Sequence, residues 1–152
     1  YNNRGEAYSN LEQYPEALVD YTKAIELDPN YALAYFNRGD AYRNLADYPT
    51  GNPEAIVDFT KAIELDPKLA AAYFNRGLAY LAKYPTAITE AIADYTKVIE
   101  LDTKNAFAYN NRGFAYHELE KYPEAIADLN KAIELDPNPA LPISIGGMRI
   151  AS

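Results

Sequence analysis

Cysteine is absent from the chain, and with it go disulfides, thiol catalysis and thiolate metal sites. Histidine occurs once, as His117. A lone imidazole with no cysteine and no paired carboxylate motif builds neither a metal centre nor a catalytic triad, so His117 is expected on the surface or in a groove. Positive charge is scarce: 14 Lys and Arg stand against 22 Asp and Glu, for a net charge of −8. Such a surface repels a nucleic-acid backbone or an anionic membrane, and neither is expected as a partner. The cations form no basic patch either, since Arg4, Arg38, Arg76 and Arg112 lie far apart. No apolar run approaches the about 18 residues of a membrane helix. Phosphate loops, nucleophile elbows and metal-ligand spacings are all missing, so no catalytic residue, metal or cofactor is expected.

What is there is repetition. The phrase Asn-Arg-Gly-x-Ala-Tyr is written four times, at Asn3 to Tyr8, Asn37 to Tyr42, Asn75 to Tyr80 and Asn111 to Tyr116. The glycines Gly5, Gly39, Gly77 and Gly113 are 34, 38 and 36 residues apart. A second phrase follows each copy, in most cases Glu-Ala-x-x-Asp-x-x-Lys-x-Ile-Glu-Leu-Asp. A period of this size means stacked copies of one supersecondary unit. The expected units are 1–31, 32–69, 70–105 and 106–138, with 139–152 as an irregular tail. Tyr1 falls inside a repeat, so the natural N-terminus is expected upstream of it.

Within a unit the apolar spacing is helical. Tyr35, Arg38/Gly39, Tyr42 and Leu45 form one stripe, and Ala55, Ile56, Phe59, Ala62 and Ile63 form another. Glycine within a helix costs about 1 kcal/mol against alanine, and its return in all four copies predicts a close crossing of two antiparallel helices. Tyr14-Pro15 and Tyr122-Pro123 place proline in the first turn of the second helix, where its missing N–H is no loss. Leu27-Asp-Pro-Asn30 and Leu135-Asp-Pro-Asn138 end that helix. The third unit has Asp102-Thr103 instead, which predicts a helix running on by a residue or two. Pro49 to Pro53 reads as a longer loop in the second unit. In the third, the extra residues between Pro85 and Ala91 read as one added helical turn.

These phrases resemble the tetratricopeptide repeat, a helix-turn-helix family. In the second unit the likeness runs through Tyr35, Gly39, Tyr42, Ala55, Phe59, Ala62 and Pro67, and it covers residues 1 to 137 in four copies. Arginine before each glycine, where the family usually has leucine, is a departure. The resemblance implies an all-α solenoid of antiparallel hairpins, a right-handed superhelix with the first helices on its concave wall. It implies a protein-interaction scaffold that holds a peptide or partner protein there and is not an enzyme. Two other roles stay open: a regulatory or substrate-docking segment of a larger enzyme, and a self-assembling structural module.

The asparagines Asn3, Asn37, Asn75 and Asn111 match the place where some family members hold a ligand's backbone, the amide offering both a donor and an acceptor. The lysines of a carboxylate clamp are missing: Asn2, Phe36, Phe74 and Asn110 stand at one of its places, and Leu33, Ala71 and Phe107 at the other. The expected groove is apolar instead, with Phe36, Phe74, Leu78, Leu81, Phe107 and Phe114, and Glu6 and Asp40 make its N-terminal end acidic. A ligand with apolar anchors and a basic end is the best match. Each of Arg4, Arg38, Arg76 and Arg112 is expected to pair, within its own hairpin, with Asp20, Asp58, Asp94 and Asp128, a bridge that sets register more than stability. The last hairpin should leave Ala125, Ile126, Leu129, Ala132 and Ile133 uncovered, which makes end-to-end self-association an expectation as well.

Overall fold

The computed structural model describes residues 1–45, 53–83 and 86–137. Among the described residues eight helices follow one another: α1 (Asn2–Asn10), α2 (Tyr14–Leu27), α3 (Ala32–Asn44), α4 (Pro53–Leu65), α5 (Ala70–Lys83), α6 (Ile88–Leu101), α7 (Ala106–Glu118) and α8 (Tyr122–Leu135). Odd and even helices pair into four hairpins, and each even helix packs in turn on the next odd one. The odd helices also meet each other, α1 with α3 and α3 with α5, whereas no two even helices approach to that extent. The array therefore curves with its first helices inside. It is an all-α solenoid of antiparallel hairpins.

The core explains the alanines and glycines of the repeated phrases. Ala17, Ala34, Ala55, Ala62, Ala72, Ala91, Ala108 and Ala115 are sealed from solvent, and between them each hairpin inserts one large side chain from its second helix: Tyr21, Phe59, Tyr95 or Leu129. That side chain lies over the glycine. A Cβ on Gly39 would stand 2.9 Å from the Phe59 ring and 3.3 Å from the Ala55 carbonyl oxygen. The crossing is thus close because a ring fills the missing side chain's space as well as because two backbones approach.

Two sequence expectations are corrected. The second helix of the third unit does not run on: α6 ends at Leu101, and Asp102 turns out at φ −141°, matching Asp28 at −139° and Asp136 at −139°. The stop belongs to the aspartate. Its carboxylate accepts the N–H two residues on, Asn30 to Asp28, Lys68 to Asp66 and Lys104 to Asp102, each at 3.0 Å. Proline is dispensable there. Nor does the third unit gain a helical turn, since α6 has the same 14 residues as α2 and α8. One extra residue lengthens α5 and one lies in the connection to α6, with Ala87 buried as N-cap. The Pro49–Pro53 loop up to residue 52, and the tail 139–152, lie outside the described residues.

The α1–α2 and α7–α8 turns are built alike. Glu12 and Glu120 both take φ 58°, and the next N–H, of Gln13 or Lys121, donates back to Tyr8 or Tyr116 at 2.9 Å. The stripe on α8 is narrower than its sequence suggests. Ala125 and Ala132 are buried and Leu129 half-buried, leaving Ile126 and Ile133 as the open pair.

Candidate binding groove

Two layers of side chains surround the helix crossings, and the deeper one is ionic. In every hairpin the arginine before the glycine lies across to the aspartate of the second helix through both Nε and Nη2: Arg4 to Asp20 at 2.6 and 2.7 Å, Arg38 to Asp58 at 2.7 and 2.8 Å, Arg76 to Asp94 at 2.9 and 2.7 Å, Arg112 to Asp128 at 2.7 and 2.8 Å. These are the forked, charge-assisted pairs that only a guanidinium makes. The third nitrogen reaches backward. Nη1 of Arg38, Arg76 and Arg112 donates to the hydroxyl of Thr22, Thr60 and Thr96 in the preceding hairpin, at 3.2, 3.0 and 3.0 Å. Each guanidinium also lies against a tyrosine one turn before it, Tyr35, Tyr73 or Tyr109, at 5.7–5.8 Å. One residue thus closes its own hairpin and fastens it to its neighbour.

Burial tunes these pairs unequally. The Arg4 side chain is 63% exposed, against 16–19% for the other three. The hydrogen bonds from Arg4 hold the Asp20 carboxyl below the usual aspartate range. At Asp94, enclosed between hairpins, burial pushes the carboxyl up, although Arg76 pulls the other way.

The outer layer faces the concave side, and it separates the four asparagines. Asn3 is exposed. Asn37 donates to Asn2 Oδ1 at 3.1 Å, and Asn75 donates to Asp40 Oδ1 at 3.1 Å, each reaching one hairpin back. Asp40 is held further by Arg43 at 2.8 Å and by Asn44 at 3.1 Å. Asn111 is the most enclosed of the three interior asparagines, with 8% of its surface exposed, and among the described residues its side chain makes no hydrogen bond of the kind that Asn37 and Asn75 make. The cause is in the sequence. One unit before Asn111, Phe74 and Leu78 occupy the places that Asn2 and Asp40 hold for the earlier asparagines.

The aromatic residues divide as well. Phe36 packs on Phe59 at 5.9 Å between ring centres, and Phe74 on Tyr95 at 5.6 Å, so both half-buried rings belong partly to the hairpin interior. Leu78, Leu81 and Phe114 are half-buried, and Phe107 is 50% exposed. Phe107, Asn111 and Phe114 follow one another at helical spacing along α7, making one continuous face. His117 is exposed beside Glu118, with Phe114 and Tyr122 against its ring. The sequence did not disclose the threonines of the ionic layer. Their hydroxyls acquire meaning only against an arginine of the following hairpin.

Among the described residues no cluster of His, Asp and Glu could hold a metal ion, and no helix is long and apolar enough to cross a membrane. The geometry offers recognition: a curved wall of fixed amides and apolar side chains.

Residues 1–31 and 106–139 match a tetratricopeptide repeat profile, 20–51 match another, and 52–83 with 87–120 match a third profile of the same repeat. No protein of curated function matches the chain. Solved structures do. MamA shares 27% identity over 90% of this chain and 76% of its own, with a TM-score of 0.81. The tetratricopeptide domain of Arabidopsis OM64 shares 32% identity, covering 72% of this chain and 86% of that one, with a TM-score of 0.64. The first such domain of Spaghetti (RPAP3), bound to the HSP90 peptide SRMEEVD, shares 32% identity over 83% and 90%, with a TM-score of 0.63.

Proposed function

Since the chain belongs to the tetratricopeptide repeat family, we propose that it is a non-catalytic scaffold whose concave wall, formed by α1, α3, α5 and α7, holds a peptide or an extended segment of a partner protein. A general role in protein–protein interaction comes with the family, whose arrays are typically scaffolds without chemistry of their own. The observation that carries the finer reading is the α7 face, where Phe107 and Phe114 flank Asn111 and stay partly open to solvent. Exposed apolar surface collected on one wall, with a polar group fixed in it, is the usual composition of a recognition site.

The ligand differs in chemistry from SRMEEVD, which the RPAP3 domain binds. That peptide carries three side-chain carboxylates, and the wall here presents Asn2, Phe36, Phe74 and Asn110 with Asp40 nearby, not lysines. A peptide with apolar anchors suits it better.

A random dodecapeptide library displayed on phage tests the reading. Peptides enriched on the intact array should lose binding to Phe114→Glu and keep it with Val57→Glu, since Val57 lies exposed on a second helix. No enrichment, or equal loss with both variants, would remove the groove from consideration. A second reading, self-assembly, is favoured by the open Ile126 and Ile133 on α8.

A further inference from the structure

The apolar stripe on α8 differs in its middle from the three stripes that a following hairpin covers. On α2, α4 and α6 a threonine stands between the two aliphatic residues. The hydroxyls of Thr22, Thr60 and Thr96 each accept from Nη1 of the next hairpin's arginine. On α8 that place holds Asn130, exposed between the exposed Ile126 and Ile133. A hydroxyl there would serve an incoming arginine. A carboxamide carries an acceptor and a donor side by side, so two carboxamides complete each other. The three residues are uncharged, and Lys131 and Glu134 beside them pair with one another at 2.8 Å.

The spacing is symmetrical as well. Ile126 and Ile133 lie about two helical turns apart, and their midpoint falls between Leu129 and Asn130. Turning a second α8 end for end about that midpoint sets Ile126 of each copy on Ile133 of the other. The same turn brings the two Asn130 amides together beside the two-fold axis.

We propose that the exposed face of α8 is a docking surface for a second copy of this chain. The two α8 helices run antiparallel, Ile126 against Ile133, and the two Asn130 side chains hydrogen-bond across the axis. The proposal rests on the self-assembly reading above and gives it a closed form. Packed helices lie about 8–10 Å apart, a gap that isoleucines fill and two facing amides span. Burial of the isoleucines drives the contact. The amide pair sets its register, as a single polar residue does in an apolar helix seam. A head-to-tail copy would instead lay α8 on α1. That helix has 9 residues, against 13 or 14 in α3, α5 and α7, and covers less of the stripe.

In sedimentation equilibrium the mass of the unaltered chain should rise with concentration and level off at two chains. Asn130→Asp separates the two pairings. It places two carboxylates together at the axis and should raise the dissociation constant of the antiparallel pair about tenfold or more. In a head-to-tail contact the same carboxylate would meet the exposed Arg4 and tighten the association. Asn130→Cys adds a second readout, because the chain has no cysteine of its own. In air-saturated buffer the two thiols beside the axis should close a disulfide far faster than those of Val57→Cys, an exposed control on α4. Both changes fall on an exposed residue, and circular dichroism should show unchanged helix content. Mass growing past two chains, tighter association of Asn130→Asp, or a disulfide forming no faster than in Val57→Cys would overturn the pairing and leave self-assembly standing. A monomer at every concentration would sink both.

Discussion

Tyr95 has a buried hydroxyl with no hydrogen-bond partner in the protein. Burial raises its pKa far above a free tyrosine's, which keeps it neutral. Its counterpart Tyr21 shares a hydrogen bond with Ser9 at 3.2 Å. Leu81, standing where Ser9 stands in the first hairpin, cannot do the same, and the second hairpin avoids the question with Phe59. Tyr95→Phe should therefore raise stability by about 1 kcal/mol, the scale of an unmet hydroxyl, read as a higher urea midpoint at unchanged slope. A lower midpoint would mean that the hydroxyl is bonded after all. The Arg–Asp pairs could be read from sequence because both members keep a constant distance from the glycine and alanine of one crossing. Neither the orphan at Tyr95 nor the missing bond at Asn111 could. Each arises from a residue elsewhere, Leu81 in one case and Leu78 with Phe74 in the other, that only packing brings opposite.

At the level of helices, Thr60 shows how hairpins are joined. Its hydroxyl donates to the Ile56 carbonyl at 2.7 Å and accepts from Arg76 Nη1 at 3.0 Å, so both functions of one O–H are used. Thr60→Val keeps the shape and removes both bonds, leaving a half-buried guanidinium nitrogen unmet. It should cost about 1–2 kcal/mol of stability, and Thr60→Ser should recover most of that in the same denaturation experiment. Equal stability of all three proteins would show the contact to be incidental. Helix identity and order were legible in the periodicity, and so was every hairpin. Helix ends were less so. Proline drew attention at Pro29, Pro67 and Pro137, whereas the aspartate before it does the capping, which is why α6 stops without one. The added turn failed for a related reason. Ala87 and Ile88 continue the apolar spacing of α6, but spacing alone does not distinguish a buried N-cap from a first turn.

Across the described residues one junction, between an even helix and the next odd one, is made three times. On α2, α4 and α6 the residues equivalent to Ile126 and Ile133 are half-buried by the following hairpin: Leu18 and Ile25, Ile56 and Ile63, Ile92 and Ile99. On α8 the two isoleucines are 59% and 62% exposed. If a second copy covers them, the weight-average mass in sedimentation equilibrium should rise with concentration, and Ile126→Lys with Ile133→Lys should return it to that of one chain. A constant monomer mass across the range for the unaltered protein excludes this. The opposite face carries a different consequence. Arg4 lies open to solvent on its buried partner Asp20, while Arg38, Arg76 and Arg112 are enclosed between neighbours. Dissolved ions screen exposed charges strongly and enclosed ones little. Raising the salt should therefore weaken the contribution of the Arg4–Asp20 bridge more than that of the three enclosed ones, whose worth persists when simple Coulomb attraction is damped.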